Sequence, residues 1–214
     1  MASTLIVGKM DPLAAPEVAK ILSEFDGRGT AGGPRRRQVY GYYDVYVEVL
    51  DDDSPSTSQE PLRAALADYV EVYDPEVAST PFQPTATGFY HRQLASPLDL
   101  TALHSTVIVN RMDPAVVPRV AELFGGLDDT DFPQQMGTRR RQLFRYGRDL
   151  YFHVQDFDHT DGNQTIDQAW KQADPRFIKI CADLDPLVHK YDPARWRSTA
   201  DQIAKRFYHW EAPA

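Results

Sequence analysis

The sequence predicts an α+β protein made of two copies of one β-α-β-β-α-β module, and three observations carry that reading. The first is repetition. "STLIVGKMDP" at 3–12 returns as "STVIVNRMDP" at 105–114, and "VAKILSEFD" at 18–26 returns as "VAELFGGLD" at 120–128. "RRRQ" at 35–38 returns at 139–142, while "YDP" and "FYH" at 73–75 and 89–91 return at 191–193 and 207–209. Five blocks in one order, with offsets growing from 102 to 118 residues, mark a tandem duplication. The second observation is a hydrophobic period that alternates between strand-like and helix-like spacing, in the same order in each copy. The third is the turn and cap chemistry at each change of period.

Each copy opens on a short apolar run, "TLIVGKM" or "TVIVNRM", which reads as a strand. Asp-Pro ends it. Asp11 and Asp113 can accept from the free N–H groups of a helix start, and Pro12 and Pro114 suit its first turn. Helical spacing follows through Val18, Ile21, Leu22 and Phe25, and again through Val120, Leu123, Phe124 and Leu127. An arginine-rich strand, a tight turn ("GYYD", "YGRD") and a second alternating strand then form a hairpin. Helical pattern resumes, clearest at 164–190, and a last strand carries "FYH". This is the ferredoxin-like order, whose antiparallel sheet takes helices on one face. The other face is partly apolar and needs cover, which a duplicate can supply within one chain. The expectation is an intramolecular pseudo-dimer of the dimeric α/β-barrel type, monomeric in solution, with a cavity beside or between the sheets. Its parts are a first module at 1–94, a connector at 95–103 and a second module at 104–214. The second copy has the longer insert between its hairpin and "YDP", and so the larger roof.

Composition removes several classes. The 214 residues are 42% apolar and 25% charged, as in ordinary globular domains. A formal charge of −8 argues against non-specific nucleic-acid binding, and no stretch is apolar for long enough to span a membrane. "MASTLIVGKMDP" lacks the pattern of a secretory signal and the lone Cys181 allows no internal disulfide, so the expected location is cytoplasmic. Cys181 lies in "RFIKICADL", where an inert core thiol is expected. "GRGTAG" at 27–32 spells a dinucleotide fingerprint but follows a helix and precedes a strand, the wrong context. His153, His159, Asp156 and Asp158 match no metal-ligand spacing, so no metal is expected.

The hairpin "GTRRRQLFRYGRDLYFHVQDFD" at 137–158 concentrates the chemistry. Alternation puts Tyr151, His153 and Gln155 on one face and Leu150, Phe152 and Val154 on the other. The apolar face is expected to take the helices, and the mixed face to wall a pocket. Arg141 belongs to the pocket face and Arg140 to the opposite one. Tyr151 and Trp196 can stack on a flat ligand, and the first copy has Ala78 in place of Trp196.

At these residues the sequence resembles the tetracenomycin-type cyclases of aromatic polyketide biosynthesis. The second copy carries "MDP", "GTRRRQLFRY", "DLYFHVQDFD", "DPRF", "YDPARWRS" and "FYHW"; the first carries "KMDP", "EFD", "PRRRQVYGYYDVYVEV" and "FYH". The chain is similar to a tandem fusion of two such modules. The resemblance implies a cofactor-free aromatase/cyclase that closes and aromatises a polyketide ring by aldol condensation and dehydration. Its substrate would be a polyketide intermediate of a type II polyketide synthase, with an acyl carrier protein as a candidate for delivering it. Carried over residue by residue, it implies catalytic roles for Arg141, His153 and Asp128, with Arg37, Glu48 and Asp26 at the corresponding positions of the first copy. Where the family's best-studied member has a histidine before that aspartate, this chain has Leu127 and Phe25. Arg141 would stabilise an enolate, and His153, with a pKa near neutrality, would move protons. Tyr151, Gln155 and Trp196 would contact substrate, as would Arg37, Glu48 and Asp26. Glu48 in place of His153 makes the second copy the expected working one. Two other readings use the same residues: a cofactor-independent oxygenase acting on anthrones, and a non-catalytic polyketide-binding chaperone.

Overall fold

A computed structural model of the chain describes residues 3–28, 33–52, 60–73, 85–94, 99, 103–158, 162–172 and 174–213. The first half contains β1 (Thr4–Met10), α1 (Ala15–Asp26), β2 (Arg36–Tyr42), β3 (Val45–Asp51), α2 (Glu60–Leu66), β4 (Val70–Glu71) and β5 (Thr87–Gln93). The second contains β6 (His104–Met112), α3 (Val117–Asp128), α4 (Phe132–Gln135), β7 (Thr138–Tyr146), β8 (Leu150–Phe157), α5 (Gly162–Gln172), α6 (Pro175–Leu184), β9 (Val188–Lys190) and β10 (Lys205–Glu211). Residues 53–59, Ala78, His159, residues 29–32 of "GRGTAG" and most of the expected connector lie outside the described residues. Among the described residues, no helix is long and apolar enough to cross a membrane.

The fold is α+β and two-module, as the repeats require. Two antiparallel five-stranded sheets run β10-β2-β3-β1-β4 and β5-β7-β8-β6-β9. The Asp-Pro starts behave as their chemistry demands. Asp11 accepts from the Leu13 N–H at 2.9 Å and Asp113 from the Ala115 N–H at 2.8 Å, each opening a 3₁₀ turn that runs into the helix. The hairpin turns need left-handed backbone, taken by Gly147 (φ 59°) in one copy and by Tyr43 (φ 52°) in the other.

Strand connectivity corrects the sequence reading. The fourth strand of each module is not the "FYH" strand but a short one, β4 against β1 and β9 against β6. The "FYH" strands are fifth strands, and they are exchanged. β5, at the end of the first repeat, pairs with β7; β10, at the end of the second, pairs with β2. The limits 1–94 and 104–214 therefore delimit the repeats, whereas the compact units are Met1–Ala86 with Ala204–Ala214, and Thr87–Ile203. Sequence cannot choose between the two pairings, because β2 and β7 offer the same "RRRQ" edge. Even the break in each ladder is shared, between Gly88 and Tyr90 and between Arg206 and Tyr208.

The two faces of β8 are also reversed from expectation. Tyr151, with Leu143 of β7, packs into the cluster formed by Val120 and Phe124 of α3 and Ile180 of α6, so the mixed face looks at the helices. Leu150, Phe152 and Val154 look the other way and are at most 2% exposed. Polar groups are tolerated beneath the helices because they are paired there, as described below. The apolar face carries one ion pair of its own in each copy. Arg140 meets Asp156 at 2.6 Å and Arg36 meets Asp51 at 2.8 Å, all four fully buried, with Ser105 and Ser3 donating to the same carboxylates.

Strand exchange generates a test. Residues 104–214 expressed alone lack β5 and leave the β7 edge bare, while their own β10 has no β2 to join. A bare edge recruits a matching strand. The expected product is a dimer in which each β10 completes the partner's sheet, seen by sedimentation. A folded monomer overturns this.

Candidate active site

The second unit holds a cavity of about 630 Å³ between the sheet and its helices. Its floor is the mixed face of the sheet: Arg141 from β7, Tyr151, His153 and Gln155 from β8, and Ile108 and Asn110 from β6. α3, α4 and α6 supply an apolar wall that includes Phe124, Phe132 and Phe177, and α5 adds Ile166. Trp196, from the segment after β9, stands at the edge, with the Lys190 ammonium 4.1 Å from its ring centroid. The longer insert of the second copy thus becomes the roof.

Arg141 is the centre of the polar groups. It is 4% exposed, and a buried guanidinium must be met by acceptors or lose several kcal/mol. Its Nε donates to both carboxylate oxygens of Asp128, each at 3.0 Å. Asp128 is the last residue of α3, so the end of that helix fixes the arginine. Nη1 lies 2.9 Å from His153 Nε2 and donates to Gln155 Oε1 at 3.3 Å, and Gln155 donates in turn to Thr138 Oγ1 at 2.7 Å. The guanidinium stacks over Phe124, 4.8 Å from its centroid, and the same ring packs edge-on against His153. Tyr90 of the exchanged strand β5 donates to Asp128 Oδ2 at 2.9 Å.

The electrostatics fix the proton on His153. A guanidinium only donates, so Nε2 must accept and the neutral ring carries its proton on Nδ1. Burial, and then the adjacent Arg141 charge, push the His153 pKa well below its usual 6.5. This corrects the expectation of a pKa near neutrality. Burial also raises Tyr151, and burial together with Asp128 raises Tyr90, so both phenols keep their protons. Cys181 is half-buried, packed against the core cluster of the second unit and lining the cavity wall, and burial pushes its thiol up to about 11. Among the described residues, no group of three or more His, Cys, Asp and Glu side chains is placed to hold a metal ion.

Of the residues singled out in sequence, Arg141, His153, Tyr151, Gln155 and Trp196 meet at this one cavity. Asp128 is 3% exposed and stands behind Arg141, outside the lining. Arg37, Glu48 and Asp26 form a separate network in the first unit. Arg37 Nε donates to Asp26 at 2.9 Å, its Nη1 to Glu48, and Tyr46 donates to Glu48 at 3.1 Å. Tyr208 of β10 donates to Asp26 at 2.9 Å, the mirror of Tyr90 on Asp128. There Leu62 and Leu66 of α2 pack with Tyr46 under α1, and none of the three lines the cavity. Sequence reasoning misses Tyr90 and Asn110. The recurrence of "FYH" is a signal for Tyr90; for Asn110 the signal is its change from Gly8 within the otherwise matching first block.

A family model for polyketide synthesis cyclases matches residues 2–93 and 104–211. An uncharacterized protein of Streptomyces coelicolor is 38% identical over 109 residues, covering 51% of this chain and 96% of that protein. The tetracenomycin F2 cyclase of Streptomyces glaucescens is 34% identical over 110 residues, again 51% of this chain and 96% of that protein. Each relative thus spans one repeat. A solved anthrone oxidase-like protein, 12% identical, covers 87% of this chain and 85% of its own with a TM-score of 0.52, a likeness of fold alone.

The depressed His153 pKa sets a stability prediction. Between the unfolded value of 6.5 and the folded value, the unfolded chain binds a proton that the folded chain refuses. The stability in question is present above pH 6.5 and lost as pH falls, by roughly 1.4 kcal/mol per pH unit. Urea unfolding at pH 7.0 and 5.5 is expected to show a steeper loss for wild type than for His153→Gln. Equal losses would contradict the assigned burial and charge.

Proposed function

The chain belongs to the polyketide synthesis cyclase family, and from that premise we propose that its second unit closes and aromatises a ring of a polyketide intermediate by intramolecular aldol condensation and dehydration, using side chains alone. The observation that carries this reading is the 2.9 Å contact between Arg141 Nη1 and His153 Nε2 on the cavity floor. It pairs a fixed cation with a neutral base at the point where a flat substrate would lie.

The arrangement suggests an order of events. A substrate carbonyl oxygen takes the Nη1 hydrogen bond from His153, which frees the Nε2 lone pair. Nε2 then removes a proton from a methylene between two carbonyls, and the electron pair moves onto the oxygen held by Arg141. Preorganised donors of this kind act where charge develops. The enolate carbon bonds to a second carbonyl carbon of the same molecule, whose oxygen takes the proton back from His153. A further C–H proton leaves to His153, and the new hydroxyl departs as water with that proton. The imidazolium formed beside Arg141 is an unstable acid, so it returns its proton readily. Asp128 and Tyr90 are positioning residues: they hold Arg141 from behind.

Purified protein supplied with a minimal type II polyketide synthase is expected to yield a ring-closed, aromatised product, identified by mass spectrometry and NMR. Stoichiometric oxygen uptake would instead mark an oxygenase, and an unchanged product pattern with His153→Ala and Arg141→Ala combined would mark a chaperone. Arg141→Lys keeps charge but loses the planar fork, with an expected loss of about 10²–10³ in kcat. His153→Gln should cost about 10²–10⁴. The acidic limb of wild-type activity should lie well below pH 6.5, remain in Arg141→Lys and vanish in His153→Gln. Tyr90→Phe should lower kcat less than either and leave the limb in place.

A further inference from the structure

One phenol on the cavity floor is not used by the protein. Tyr151 of β8 stands two residues before His153 on the same face, about 7 Å along the strand by ordinary spacing. Its ring is held by the core cluster of Leu143, Val120, Phe124 and Ile180, and tilts against Phe89 of the exchanged strand β5 with centroids 6.3 Å apart. The side chain is only 2% exposed. Its hydroxyl makes no hydrogen bond to any described residue. That oxygen is not sealed either. Asn110 Oδ1 and Trp196 Nε1 are closed to water, whereas Tyr151 Oη is not among the closed atoms, and Tyr151 lines the cavity. A ring fixed in the core thus presents one open O–H to the cavity. Burial keeps the proton on it, opposed in part by the Arg141 charge, which is near enough to be felt.

The first copy shows the same phenol occupied. Tyr46, the counterpart of Tyr151, donates to Glu48 at 3.1 Å. In the second copy the position of that carboxylate belongs to His153, whose Nε2 accepts from Arg141. A histidine in place of the glutamate therefore has two effects. It sets a neutral base beside the arginine, and it leaves the neighbouring phenol without its acceptor.

Resting on the cyclase reading of this cavity, we infer that Tyr151 is a second catalytic donor: its hydroxyl hydrogen-bonds a substrate carbonyl oxygen, that of the carbonyl the enolate attacks. Ring closure builds negative charge on two oxygens in turn. Arg141 meets the first, on the enolate. The second arises when the carbon–carbon bond forms and the π pair of the attacked C=O moves onto its oxygen. A fixed O–H aimed at that oxygen stabilises the charge as it develops. In a poised closure the reacting carbons lie about 3–3.5 Å apart, with the attacked oxygen one bond farther on, so a donor about 7 Å along the strand from the base is suitably spaced. The proton that ends on this oxygen comes from the His153 imidazolium, as in the order of events above, and the phenol keeps its own.

Tyr151→Phe keeps the ring and deletes the oxygen. In the synthase assay its kcat for ring closure is expected to fall by about 10²-fold, with the thermal midpoint unchanged. A binding measurement separates the residue from the reaction. Anthraquinone-2-sulfonate and anthracene-2-sulfonate share a ring system and differ in the carbonyls. By calorimetry, Tyr151→Phe is expected to bind the quinone about tenfold more weakly than wild type, the size of one well-made buried hydrogen bond, and to bind the anthracene equally well. Tyr46→Phe, which removes the hydroxyl spent on Glu48, should change neither affinity. The inference is overturned if Tyr151→Phe closes the ring at the wild-type rate, if it binds both probes as wild type does or loses both alike, or if Tyr46→Phe has the same effect. Should wild type bind the quinone through Tyr151 yet close no ring, the reaction proposed above fails and the donor to a carbonyl oxygen stands.

Discussion

Arg141 is buried, and every group around it is arranged by that fact. A guanidinium cannot shed its charge, so burial obliges the fold to bring an anion and further acceptors to it. The anion comes from the C-terminal residue of α3, which ties the helix to the sheet at one angle. The neutral acceptors come from β8, the next strand, through His153 and Gln155. The aromatic cover comes from Phe124, one turn back along α3. The depressed pKa of His153 is a consequence of the same burial and the same charge. Fold and chemistry meet at one side chain, because the network that makes Arg141 tolerable also presents a neutral base beside a cation.

The duplicate shows what that network becomes when the acceptor changes. In the first unit Asp26 takes the place of Asp128, and Glu48 the place of His153. Arg37 is then met by two carboxylates, one of them where the second unit presents a neutral ring. Leu62, Leu66 and Tyr46 pack in one cluster with Val18 and Leu22 of α1. The sequence reading treats Arg37, Glu48 and Asp26 as substrate contacts; in the first unit they pair with one another.

Much of this was legible in the residues, for identifiable reasons. The duplication, the helix starts at Asp11 and Asp113, the hairpins, and the opposite facing of Arg140 and Arg141 follow from local rules that act over a few residues. Strand exchange did not follow, because it depends on which of two equivalent edges a distant strand joins. The reversal of the β8 faces has a different cause. The rule that helices cover the apolar face assumes that both faces are not buried, and here both are. The depressed His153 pKa required knowing its depth and its distance from Arg141. Asn110 escaped notice because its one mark in the sequence, the change from Gly8, says nothing of depth or neighbours.

Exchange of the terminal strands also bears on why an altered first copy is retained. Tyr90 belongs to the first repeat in sequence and to the second unit in space, where it donates to Asp128. The edge of β7 is likewise completed by residues of the first repeat. The first copy, with Glu48 where the second has His153, is thus still tied to the second unit through its last strand. Its last strand still satisfies the backbone of β7 and still supports the carboxylate that holds Arg141. Two different constraints act on one repeat: its Arg37 site need only stay paired, whereas its terminal strand must keep its phenol within reach of Asp128. Tyr90 thus meets the carboxylate that holds Arg141, and Tyr208 the one that holds Arg37.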